Sequence, residues 1–238
     1  MEKEQILELI MDGFRRIVGH YGLWFSEVIH QLGIEKALEI ESKAGDLSFV
    51  IQLKRLAKTF GFEVDEKGIP LFLKEKTEEE LKNILKNIAA NWLANDGVWF
   101  QAVELNYEMN DAKRCNDSCW TKFSPFEAAR IKKLLNLPEH AGIEGLKKAL
   151  QYRMYSFINE QTIEEIDKNR IIFKMNNCRV QSTRKRKGLP DYPCKTAGLV
   201  EYKYFAWTID SRIKTKCICC PPDEHPEEYY CAWEFYIE

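Results

Sequence analysis

The chain has 238 residues, of which 45% are hydrophobic and 30% charged, with a formal net charge of −2. That suffices for one large hydrophobic core or two modest ones, and the near balance of charge excludes a surface dominated by nucleic-acid binding. No apolar run reaches the roughly 20 residues that span a bilayer. Met1 to Met11 alternates Glu and Lys with aliphatic residues, as an amphipathic helix does and a signal peptide does not. The expected location is therefore the cytoplasm. Thiols stay reduced there, so the eight cysteines read as metal ligands, core residues or reactive thiols before they read as disulfides.

Ile6, Ile10, Phe14, Ile17 and Tyr21 recur at helical spacing and predict a first amphipathic helix. A second helical stretch runs from about Leu23 to Lys43 with a break near Gly33. Asp46 reads as the N-cap of a third, whose stripe is Phe49, Leu53, Leu56 and Phe60. Residues 62–64 and 69–73 flank Asp65-Glu66-Lys67-Gly68 as a small hairpin. Thr77 with Glu80 forms a capping box for a fourth helix carrying Leu81, Ile84, Leu85, Ile88 and Trp92.

An internal echo follows. Gly22-Leu23-Trp24-Phe25 resembles Gly97-Val98-Trp99-Phe100 at an offset of 75 residues, which suggests a duplicated helical unit with the Trp-Phe pairs as core anchors. Ser124-Pro125-Phe126-Glu127 predicts a helix start ending near Pro138, and another helix carries Ile143, Leu146, Leu150, Met154 and Phe157. Beyond it the period changes. Strands are expected at 162–167 and 171–180, a basic loop at 182–193, a helix at 196–209, and strands at 212–218 and 229–237. The fold class is thus α+β, a helical N-terminal region (1–138) followed by a module (139–238) whose antiparallel four-stranded sheet carries helices.

Five of the eight cysteines lie between Cys194 and Cys231. Cys217 and Cys220 form a C-x2-C knuckle, the spacing with which two thiolates grip one tetrahedral metal. Cys194 at a helix start and Cys231 on the last strand supply two more sulfurs. The expected cofactor is one structural zinc held by Cys194, Cys217, Cys220 and Cys231, with His225 or Cys219 as substitutes for one ligand. Cys178 and Cys219 otherwise read as small buried hydrophobes.

The order of elements from about 140 onward resembles the vinyl-reductase-type ligand-binding domain, a relative of the trafficking-particle and haem-nitric-oxide-binding folds. In some such domains a zinc is held by a residue before the helix, an acid, a cysteine shortly past it, and a final cysteine on the last strand. Those places match Cys194, Cys217, Cys220 and Cys231, with Cys217 where the acid stands. The closing Cys-Pro-Pro-Asp…Cys-Ala-Trp-Glu-Phe also resembles proteins akin to aminothiazoline-carboxylate hydrolases, which implies hydrolysis of a small cyclic or aromatic acid; no catalytic residue carries over.

The ligand site is expected between the sheet and the 196–209 helix, walled by Tyr204, Trp207 and Trp233. Arg179, Arg184 and Arg186 are its nearest cations, and guanidinium groups suit a carboxylate because they bond it through two parallel donors. The basic run Arg184 to Lys187 reads equally as a solvated loop. The expected partner is a small acid with an apolar or aromatic body; nucleic acid and membrane are not expected, and a homodimer is left open. Two rivals remain: a ligand-responsive regulator whose residues 23–73 form a winged helix-turn-helix, and a scaffold without ligand.

Overall fold

A computed structural model describes every residue except 187, 189 and 190, so one end of the basic run, Lys187, lies outside the described residues. The chain divides into two compact units, Met1–Glu75 and Lys76–Glu238. The division expected at 138 falls inside the second unit, because the helix that ends there packs on the helix that crosses the sheet.

In the first unit, α1 (Lys3–Leu32) and α2 (Ile34–Phe60) fold back on each other around Gly33, whose φ of 85° favours glycine. Two long helices replace the three expected short ones. Asp46 starts no helix, since α2 runs through it; once a helix is nucleated, each further turn costs less than ending and restarting. The expected hairpin shrinks to one bridge, Val64 with Pro70, and Leu71–Lys74 (α3) is helical. Asp65 holds this turn by accepting from the amides of Lys67 and Ile69. A winged helix-turn-helix needs three short helices and a two-stranded wing, and this unit has neither.

In the second unit, α4 (Glu78–Asn106) starts at the Thr77–Glu80 capping box, and α5 (Met109–Leu134) follows. Pro125 lies inside α5 and starts no new helix. Ser124 and Pro125 are buried, so packing holds the turn in which proline has no N–H to give the carbonyl of Thr121. Then come α6 (Gly142–Leu150), a 3-10 turn at Met154–Phe157, β1 (Glu160–Asp167), β2 (Arg170–Asn177), α7 (Arg179–Arg186), α8 (Lys195–Ile209), β3 (Lys214–Cys219) and β4 (Cys231–Tyr236). The sheet order is β1-β2-β4-β3, all pairs antiparallel. The fold is α+β, with a helical N-terminal region and a four-stranded antiparallel sheet, as the sequence implies.

Alternation decides which face of the sheet is covered. Ile171, Phe173 and Met175 of β2 pair with Phe235, Trp233 and Cys231 of β4, so all six share one face, and all are buried. On α8, Gly198, Tyr202, Phe205 and Ile209 recur at three- and four-residue spacing and press on that face. The contact is close. A Cβ at Gly198 would stand 2.6 Å from Cζ2 of Trp233, a ring with no exposed surface. Gly198→Ala should therefore lower stability by about 1–3 kcal/mol through overpacking, although alanine favours a helix interior by about 1 kcal/mol. A denaturation midpoint that stays put or rises would contradict this close approach.

The far end of α8 is tied to α6 by charge. Asp210, 1% exposed, accepts from the amide of Gly142 and from Arg212, and these donors hold its carboxyl well below the usual range. Lys132 of α5 donates to the carbonyls of Thr208 and Ile209, closing the C-terminus of α8.

Candidate functional site

The four expected metal ligands occupy neighbouring places at one end of the sheet. Cys194 immediately precedes α8, and Cys217 of β3 pairs with Trp233 and so shares the buried face with Cys231. A register shift between Cys217 and Cys219 turns Cys219 to the other face, beside Ala232. Cys220 then returns to the core and is 2% exposed. Its sulfur lies 3.6 Å from that of Cys194. Two thiolates bound at about 2.3 Å to one tetrahedral zinc would stand about 3.8 Å apart, so this pair fits the donor chemistry.

Hydrogen bonds to Cys194 and Cys231 push the Cys220 thiol up, and the same bond to Cys220 pulls Cys194 down. Gln181 of α7 also donates to the Cys194 sulfur, at 3.4 Å. Burial raises Cys217 to about 11 and Cys178, a further core thiol, to about 12. The described residues hold no group of three or more His, Cys, Asp or Glu side chains already set around a metal position. The fold brings together one sulfur pair in contact, with Cys231 against it and Cys217 on the same face. His225 is engaged elsewhere, with Asp191 and the carbonyl of Pro226.

The space between α8 and the sheet, where the ligand was expected, is solid core. Trp233 has no exposed surface there, and Tyr204 and Trp207 sit half-exposed on the outer side of α8. Helical spacing places residues on a face of α8 without telling a packed face from a hollow one. A cavity of about 310 Å³ lies instead on another side of α8, bounded also by α4, α5 and α7. Arg179 and Arg184 line it; Arg186 is exposed on α7 and does not. The end of the expected strand and the start of the expected basic loop form α7 instead, whose first turn begins at Cys178, the carbonyl of which accepts from the amide of Ser182. Phe100, Trp120 and Tyr155 give the cavity aromatic walls, and Cys194 reaches it from the thiol cluster.

Three acids also line this cavity: Asp96 and Glu104 from α4, and Glu201 from α8. Burial raises the carboxyl of Asp96, and no hydrogen bond or ion pair holds it among the described residues. Glu201 belongs to a buried triad. Arg153, 1% exposed, lies 2.8 Å from Glu127 of α5 and 2.7 Å from Glu201. The Glu201 contact is an ion pair off hydrogen-bond angle. Glu127 also accepts from the amide of Met154. Burial raises the Glu201 carboxyl to about 7 against the pull of Arg153. Tyr155 packs edge-on to Trp92 and parallel to Trp120, which fixes the 3-10 turn that delivers Arg153.

The sequence reading missed Asp96, Glu127, Arg153 and Glu201. Glu201 left a signal, a lone acid within the Ala197–Ile209 apolar stripe; Arg153 left none. The Trp-Phe pairs are not core anchors: Trp24 and Trp99 are 63% and 69% exposed, and only Phe25 and Phe100 are half-buried.

No helix among the described residues is long and apolar enough to cross a membrane. A family model described as "Family of unknown function (DUF6125)" matches residues 1–77 and 74–237. No curated protein matches, and no solved structure matches.

Proposed function

From the premise that the chain belongs to the DUF6125 family, we propose that it is a cytoplasmic small-molecule-binding protein for a small acid with an aromatic or apolar body. The observation that carries this reading is the cavity of the Lys76–Glu238 unit, where Arg179 and Arg184 of α7 join the rings of Phe100, Trp120 and Tyr155. Ligand sites are concave and mainly apolar, with a few polar groups that fix orientation, and this cavity has that composition. The ligand's carboxylate sits at the α7 wall, away from α4 with its acids, and its body lies along the rings. A zinc held by Cys194, Cys217, Cys220 and Cys231 braces the wall through Cys194. With four thiolates its shell is closed, so it supplies folding energy and not an activated water.

A hydrolase is the second reading. Glu201 favours it, because a carboxyl near 7 that lines a cavity suits general acid–base work at neutral pH. The test is a binding panel of benzoate, 3-phenylpropionate and their neutral amides, with wild type and Arg179→Met. Loss of a charge-assisted bond should weaken the acids by about 1.5–3 kcal/mol and leave the amides nearly untouched. Amides that bind as well as acids, with no effect of the substitution, would remove the small-acid reading and bring the scaffold reading forward.

A further inference from the structure

The cavity of the Lys76–Glu238 unit is lined by charges of both signs, and they stand on different elements. Arg179 belongs to α7; its side chain is exposed and joins no ion pair among the described residues. Asp96 from α4 and Glu201 from α8 bring carboxyls to other walls of the same cavity.

Neither carboxyl is fully satisfied by the protein. Asp96 is half-buried, burial raises its carboxyl, and among the described residues it has no hydrogen bond or ion pair. A carboxylate taken out of water without a partner is costly. Glu201 is 7% exposed, and its Oε1 lies 2.7 Å from Arg153 yet accepts no hydrogen bond. Burial raises the Glu201 carboxyl most, against the pull of Arg153, and the charges of Glu127 and Asp96 raise it further. Glu201 thus has two carboxyls and one guanidinium as its charged neighbours, and that guanidinium is shared with Glu127. Asp96 and Glu201 are close enough to repel each other. A ligand that carried only a carboxylate would add a further negative charge to this cavity. An ammonium has three N–H donors and no acceptor, which suits two carboxyls with acceptor capacity to spare.

We propose that the ligand of this cavity is an aromatic α-amino acid, with its carboxylate on Arg179, its ammonium between Asp96 and Glu201, and its ring along Phe100 and Trp120. The proposal rests on the small-acid reading and narrows it. Asp96 also borders an adjoining cavity between α4 and α5, so dependence on Arg179 is what places the ligand here.

The test is calorimetric titration of the full chain at neutral pH with three compounds: L-phenylalanine; 3-phenylpropionate, which lacks its ammonium; and 2-phenylethylamine, which lacks its carboxylate. L-phenylalanine should bind about tenfold more tightly than either, because each of the others loses a charge-assisted hydrogen bond. Asp96→Asn should remove most of the preference over 3-phenylpropionate and leave 3-phenylpropionate bound as well or better. Arg179→Met should weaken both acids. Should Asp96→Asn fail to fold, the wild-type ranking decides alone. If 3-phenylpropionate binds through Arg179 as tightly as L-phenylalanine, the amino-acid proposal falls and the small-acid reading stands. A preference for L-phenylalanine that survives Asp96→Asn also overturns the proposal. Binding of neither acid, or of the amine alone, removes the proposal and the small-acid reading together.

Discussion

Arg153→Met should lower the free energy of unfolding by about 3–5 kcal/mol, because it strands two buried carboxylates around an apolar side chain. Domains of this kind are stable by only about 5–15 kcal/mol, so the loss is a large part of the total. Urea unfolding followed by tryptophan fluorescence measures it. The pH dependence identifies the cause. Glu201 has a folded-state pKa of about 7, above its ordinary value of 4.5, so its protonated form is favoured by folding. Its contribution is fully present below about 4.5 and is lost as pH rises through about 7, a swing of about 3 kcal/mol. Without Arg153 that carboxyl rises further. The deficit of the variant should therefore be greatest at alkaline pH and shrink as pH falls toward 5. A deficit that is flat in pH would mean lost packing and not stranded charge.

Cys220→Ser should take the protein from one zinc per chain to none, read by elemental analysis, with a large loss of stability in the Lys76–Glu238 unit. Structural zinc sites contribute on the order of 10 kcal/mol of apparent folding free energy, comparable to the whole stability of a domain. Cys219→Ser is the control: its sulfur lies on the other face of the sheet, so metal content should not change. Protein that is isolated without zinc, and that melts at the same temperature with and without a chelator, would end the zinc proposal.

The parts of the fold legible in the sequence are those that local chemistry decides. Thr77 and Glu80 satisfy each other's backbone within one turn, so their motif specifies a helix start wherever it lies. The alternation in Cys231–Tyr236 likewise needs only one covered face to become a strand. Asp46 and Ser124-Pro125 carry equally good local signals, yet both sit inside helices, because long-range packing outweighs a cap worth about 1 kcal/mol. At the candidate site the difference is sharper. Arg179 and Arg184 are legible as cations because they follow β2 directly in the chain; Arg153 is not, because a buried charge is defined by partners 26 and 48 residues away on α5 and α8. Trp233 reads from sequence as a pocket wall, since an aromatic on a strand looks the same whether its neighbour is a ligand or another ring.

The strand order has a consequence for how the sheet assembles. β1 and β2 adjoin in sequence and can pair as a hairpin at once, but the inner edge of β2 is completed by β4, which begins about 56 residues after Met175. Until that long loop closes, β2 presents a row of unpaired amides and carbonyls flanked by Ile171, Phe173 and Met175, the kind of edge that recruits strands from other chains. The strand that closes this edge also carries Cys231 and Trp233. Arrival of β4 therefore completes the hydrogen-bond ladder, the core and the thiol cluster in a single event, and incompletely folded chains should be at their most aggregation-prone just before it.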